Sequence, residues 1–257
     1  MTISPNLPRG AAGSISPRSL LADPTRRPPH VQLRRYEVAA LDREGNIVET
    51  RHVAPAISLF EGAFCAFARG SVVETDSGPM AIEDLMPGDR LPTVDGPSLP
   101  VTWIGRTVVN PGQNRGTRRL PLTRIMSESL GPARPASCLI AGPAARVLAT
   151  PYHLRALSGG APMLTPVAEF VDGVNIIETA PPSPIELFHL CLSQHAVIRV
   201  GGIEFETYHP GPNASRITSH QMRDLFLEMF PRISYFSEFG AVAHPRAGDG
   251  PVHAKGA

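Results

Sequence analysis

Cysteine and histidine are the side chains here best able to attack or protonate a carbonyl, and they are few: three cysteines and nine histidines in 257 residues. Cys65 stands just ahead of the run Ala66-Phe67-Ala68-Arg69-Gly70-Ser71. A thiol there could attack a neighbouring peptide carbonyl if an imidazole protonated the departing nitrogen. Candidate imidazoles are His189, which with Cys191 and His195 forms a near cluster, and His153 in Thr150-Pro151-Tyr152-His153, which offers a hydroxyl as well.

The same residues invite other readings. On an extended strand His189 and Cys191 share a face, and with His153 or His209 they could make a metal set. Such a set needs convergence that spacing alone does not supply, and no CxxC pair is present, so no metal and no cofactor is expected. Asp89 and Asp95 adjoin glycines, as tight turns favour, and are read as turn residues rather than catalytic carboxylates. A cysteine- or histidine-dependent hydrolase acting on other molecules finds no G-x-S-x-G elbow or zincin pattern to support it.

The elements that must position these side chains are short β-branched runs separated by Gly and Pro. From Ser71 to Tyr208 they include Val72 to Thr75, Met80 to Ile82, Arg90 to Val94, Val101 to Val109, Cys138 to Ala141, Val147 to Ala149, Asn175 to Glu178, Ile185 to Leu192, Ala196 to Val200 and Glu204 to Tyr208. That spacing predicts an all-β fold. In the strand 101–109, Trp103 is read as core. With 28 prolines, one helix is expected, over 218–230, where Met222, Leu225, Phe226 and Met229 form an apolar face that ends at Pro231.

Ahead of this region, residues 36–41 and 47–53 flank the turn-like Asp42-Arg43-Glu44-Gly45-Asn46 and read as a β-hairpin. Residues 1–34 hold six prolines and several arginines against the single acid Asp23 and have no periodicity, so a flexible arm is expected. The residues from Gly240 onward read as a frayed tail. The order acid, apolar, apolar, any residue, glycine occurs at Asp84–Gly88 and again at Glu169–Gly173, a faint echo of two halves.

A net charge of +1 excludes the basic field that nucleic-acid binding needs and gives no reason to expect a membrane surface as partner. No apolar stretch approaches ~18 residues, and prolines interrupt the N-terminus where a signal peptide would be apolar. A chain without export signal or membrane span is expected, cytoplasmic by default. The sequon Asn213-Ala214-Ser215 carries meaning only in a eukaryotic secretory setting.

Ala66-Phe67-Ala68-Arg69-Gly70-Ser71 leads into Gly78 to Asp89, Thr93-Val94-Asp95-Gly96 and Val101-Thr102-Trp103-Ile104-Gly105-Arg106. Leu130-Gly131-Pro132, Phe170-Val171-Asp172-Gly173, and Phe188-His189-Leu190 through His195 to Glu206-Thr207-Tyr208-His209-Pro210-Gly211 follow. In this order and spacing they resemble a bacterial Hint (Hedgehog/intein) domain. The resemblance implies a horseshoe-like all-β fold with pseudo-two-fold symmetry, to which the helical spacing adds one C-terminal amphipathic helix. With the readings above, the chain divides into arm (1–34), accessory hairpin (35–63), Hint domain (64–211), helical extension (212–239) and tail (240–257).

The resemblance also implies chemistry. In the family a Cys directly before the Phe-x-x-Gly-Ser/Thr run attacks the preceding carbonyl in an N-to-S acyl shift, and a Ser/Thr-Pro-x-His-Arg-Val-Leu segment supplies hydroxyl and acid. This chain has Ala66 at the nucleophile position and Gly142-Pro143-Ala144-Ala145-Arg146-Val147-Leu148 for the second segment, so Gly142 and Ala145 replace hydroxyl and imidazole. His189 and His195 are then vestiges of the site. A competing register uses Thr150 and His153 as hydroxyl and acid. The expected function is a processing-deficient Hint domain that binds a protein or peptide partner or is structural, the vacated cleft rimmed by Ala66, Gly142, Ala145, His189 and His195 being the natural ligand site. The alternative is an active domain in which Cys65 attacks Phe64 and cleaves between them.

Overall fold

A computed structural model describes residues 32–110, 120–159, 161–180, 182–212, 214 and 219–248. Most of the expected arm, the last nine residues of the expected tail, and Asn213 and Ser215 of the sequon lie outside the described residues.

Short extended segments dominate, as the β-branched runs require. The first sheet begins with β1 (Leu33–Leu41) and β2 (Ile47–Pro55) and takes in β3 (Phe67–Ala68). The second begins with the hairpin β4 (Val72–Thr75) and β5 (Gly78–Ala81), followed by the short β6 (Arg90–Leu91) and the long β7 (Leu99–Val109) of the first sheet. Then come β8 (Leu122–Ile125), β9 (Leu139–Ala141), β10 (Arg146–Leu148), β11 (Leu164–Pro166), β12 (Ile176–Thr179), β13 (Ile185–Leu192), β14 (Val197–Val200) and β15 (Ile203–Glu206). One sheet runs β12-β8-β9-β3-β13-β7-β1-β2, with β6 also on β7, and the other runs β11-β10-β15-β14-β4-β5. Its two edges are alike: β4/β5 and β10/β11 are each an antiparallel hairpin followed by a 3-10 turn, Ile82–Asp84 and Val167–Phe170. The sequence echo falls on these two turns.

The first core lies between the sheets and contains Ala66, Phe67, Ile104, Ala141, Ala145, Phe188, Leu190 and Phe205. The second covers the other face of the larger sheet and is aromatic. Its floor is Trp103, Leu187 and Tyr208, and its cover comes from β1, from α1 (Ser58–Phe64) and from α3 (His220–Leu227). A one-turn helix, α2 (Arg155–Ser158), lies between β10 and β11. Trp103 stacks on Phe230 at 4.5 Å and donates its indole N–H to the Met229 carbonyl at 2.7 Å. Gly105 makes this packing possible: a Cβ there would overlap the Trp103 ring and stand 2.6 Å from Phe64.

Several elements differ from expectation. α1 is absent from the sequence reading because it is short, contains Gly62 and has no side-chain cap. It forms because Phe60 and Phe64, four residues apart, bury one face against Tyr36 and Phe226, and tertiary burial overrides weak propensity. α3 is shorter than 218–230. Ser219 caps it, and beyond Leu227 bonds from Met229 to Phe226 and from Phe230 to Leu227 tighten the chain before Pro231. The β1/β2 hairpin is continuous with the larger sheet, since β1 pairs with β7 from Tyr36↔Thr107 to Ala40↔Trp103. Residues 243–247, read as tail, are bound to β11 through Leu164 N–H to Pro245 O and Ala247 N–H to Leu164 O. Among the described residues no helix is long and apolar enough to cross a membrane.

Candidate functional site

α1 ends at Cys65, and β3 then enters the middle of the larger sheet between β13 and β9. This junction holds the Cys65–Ala66 amide on both sides. Ala66 N–H donates to Phe188 O at 3.0 Å, and Ala144 N–H donates to Cys65 O at 3.0 Å. Gly142 N–H reaches Ala66 O at 2.7 Å, and Ala145 N–H turns back to Gly142 O. Gly142 lies so close that a Cβ would overlap the Cys65 carbonyl oxygen. Ala66 and Ala145 are 0% and 1% exposed, and Gly142 is buried. The open cleft expected at these residues is therefore closed packing, because small side chains let the backbones meet.

Cys65 belongs to the second core, whereas Ala66 belongs to the first. The Cys65 thiol is fully buried beside the Arg34–Glu61 ion pair, whose N–O distance is 3.1 Å. Burial pushes this thiol up to about 12 despite the nearby Arg34, so it stays protonated at neutral pH.

Thr150 and His153 are engaged with other partners, whereas His189 directly follows Phe188, the acceptor of the Ala66 N–H. Thr150 donates its hydroxyl to Ala161 O, and the exposed His153 lies 3.3 Å from Glu169. His189 is 2% exposed and rests edge-on against Phe67 and Tyr208. Burial first, then the charge of Arg246 and the neighbouring His195, lower it to about 3.

His195 belongs to a buried polar cluster that the sequence reading missed. Its Nδ1 accepts from Ala243 N–H at 2.8 Å, which leaves Nε2 to carry the proton 3.4 Å from Glu206 Oε2. At that length Nε2 faces the carboxylate without a hydrogen bond. Arg246 donates to Glu206 at 2.9 Å and to His209 O at 2.9 Å, and Arg146 approaches Glu206 at 3.4 Å. His209 accepts from Gly211 N–H and faces Gly240 O with Nε2 at 3.1 Å, and burial lowers it to about 4. Glu206 ends an otherwise ordinary strand and Arg246 sits in a Gly/Pro-rich stretch, so no spacing signal joins them. Among the described residues no three His, Cys, Asp or Glu side chains are arranged to hold a metal.

An open cleft of about 480 Å³ lies elsewhere, beside the second core. Trp103, Tyr208, Phe230 and Phe239 give it an aromatic wall, Arg43 and Arg232 a cationic rim, and His195 contributes at one side.

A family model described as the Hint domain matches residues 65–212. Crystal structures of the MchDnaB-1 intein and of a variant of it are similar to this chain at 15% identity, covering 56% of this chain and 100% of theirs, with TM-scores of 0.32 and 0.33. No curated protein matches the sequence. With more than half of its length matched by the family model, from the α1–β3 junction to the turn after His209, the chain belongs to the Hint domain family.

Proposed function

We propose that this chain is a Hint domain that does not cleave itself and acts as a binding or structural module for a protein or peptide. The observation that carries the reading is the Cys65–Ala66 amide. A donor to its carbonyl oxygen persists in the Ala144 N–H, but a methyl stands at Ala66, a bare Cα at Gly142 and a methyl at Ala145. Acyl shift at this bond needs a nucleophile at residue 66 and an acid for the departing nitrogen, and loss of a nucleophile costs orders of magnitude in rate. Burial lowers His189 to about 3, which disfavours the charged form an acid needs at pH 7.

The second reading, Cys65 attacking Phe64, is weighed down by the same kind of observation. The thiol is buried, protonated and turned into the aromatic core beside Arg34 and Glu61. For the binding role the aromatic cleft at Trp103 takes the place of the closed cradle at Ala66.

The test uses hydroxylamine, which traps a thioester or ester as a hydroxamate. The full chain is expected to yield no fragment. A fragment of residues 1–64, seen after denaturation and lost in Cys65→Ala, which has no nucleophile at that position, would establish the second reading instead. Trp103, the only tryptophan, reports on the cleft. A bound peptide is expected to shift its emission, and binding that leaves the emission unchanged would place the binding surface elsewhere.

A further inference from the structure

The strand β2 ends the larger sheet, and no other strand pairs with it beyond β1 among the described residues. It is nine residues long, pairs with β1 without a bulge, and carries proline only at its last position, Pro55. Edges are ordinarily protected by shortness, bulges, proline or repelling charge. Here Ile47 and Val53 are 48% and 61% exposed, and Glu49 and Arg51 between them are exposed as well.

The pattern of backbone bonds decides which groups are free. Asp42 N–H donates to Asn46 O and Ala56 N–H to Gln32 O, so with the observed register the even-numbered residues of β2 are bonded to β1. Ile47, Glu49, Arg51 and Val53 therefore direct their N–H and C=O groups to the open side. These four residues also share one face of the strand, opposite the face on which Val48 and Ala54 meet the aromatic core.

Read outward from Thr50, the four residues are complementary to themselves: acid on one side and base on the other, then isoleucine and valine. We propose that β2 pairs antiparallel with β2 of a second copy of this chain, about a two-fold axis at Thr50, so that two larger sheets become continuous. In this register Glu49 faces Arg51 of the second copy, Ile47 faces its Val53, and both of these pairs have their backbone groups turned toward each other. A slip of two residues either way sets Glu49 against Glu49 or Arg51 against Arg51, which disfavours it, and an odd slip leaves the backbone groups unmatched. Within one copy Arg51 lies 3.5 Å from Glu37, and its side chain is 76% exposed, so it remains free to reach across. The interface is isologous, as a two-fold dimer requires. It is independent of whether the domain cleaves itself.

Analytical ultracentrifugation of the full chain over a concentration series tests the pairing. The wild-type chain is expected to form dimers. Glu49→Arg, which sets like charges against Arg51 twice, is expected to raise the dissociation constant about tenfold or more at low salt. The double variant Glu49→Arg/Arg51→Glu is expected to return it to within about threefold of wild type. Val53→Pro removes an N–H that points away from β1 and is expected to weaken the dimer without unfolding the chain. A monomer at all concentrations, or a dimer indifferent to both Glu49→Arg and Val53→Pro, would overturn the proposal.

Discussion

Gly142 closes the cradle around the Cys65–Ala66 amide. Its Cα rests on the Cys65 carbonyl where any Cβ would overlap backbone, so the cradle has closed around the absence of a side chain. Gly142→Thr is therefore expected to destabilise the fold by about 1–3 kcal/mol, read as a lower denaturation midpoint with unchanged slope. Gly105→Ala is expected to cost at least as much, since the added methyl would meet the Trp103 and Phe64 rings together. His189 makes a prediction of a different kind. Its folded value, about 3, lies below the ordinary 6.5, so the unfolded chain binds a proton first as pH falls. The stability it protects is full above about pH 6.5 and declines toward pH 3, with about 2 kcal/mol lost by pH 5. His189→Gln is expected to flatten the dependence of stability on pH over that range; an unchanged slope would mean that other groups produce it.

Residue types were readable from the chain but partners were not. Gly142 and Thr150 both begin a residue-proline step eight positions apart, and spacing alone left either able to serve the Ala66 position. In the fold Gly142 bonds Ala66, while Thr150 bonds Ala161 and His153 meets Glu169.

At the scale of elements, the strand runs from Val72 to Glu206 were legible because alternation and Gly/Pro punctuation survive in the sequence. What failed were elements made by their surroundings. β8 and β11 are three or four residues long, and β11 contains proline. α1 has poor propensity and exists because Phe60 and Phe64 are fully buried, each burial contributing roughly 1.5–3 kcal/mol. The segment 243–247 looked like tail because the stretch from Gly240 onward is rich in Gly, Ala, Pro and His, yet it delivers Arg246 to a buried carboxylate. Arg246→Met should cost about 3–5 kcal/mol by leaving Glu206 short of its closest cation. The double variant Arg246→Met/Glu206→Gln should recover part of that loss, and an additive outcome in the double-mutant cycle would deny the coupling.

At the scale of the molecule, the residues flanking the matched region are part of the architecture. β1 is hydrogen-bonded to β7, and α1 and α3 cover the Trp103–Tyr208 face. A break at residue 64 or 65 would therefore leave β1 paired with β7, so the cut is read after denaturation. The decisive measurement is intact-mass spectrometry of the full chain under denaturing conditions, after incubation at neutral pH with and without dithiothreitol. A single species at the full mass is expected in both samples. Thiol-induced fragments of residues 1–64 and 65–257 would contradict it and make Cys65 the nucleophile.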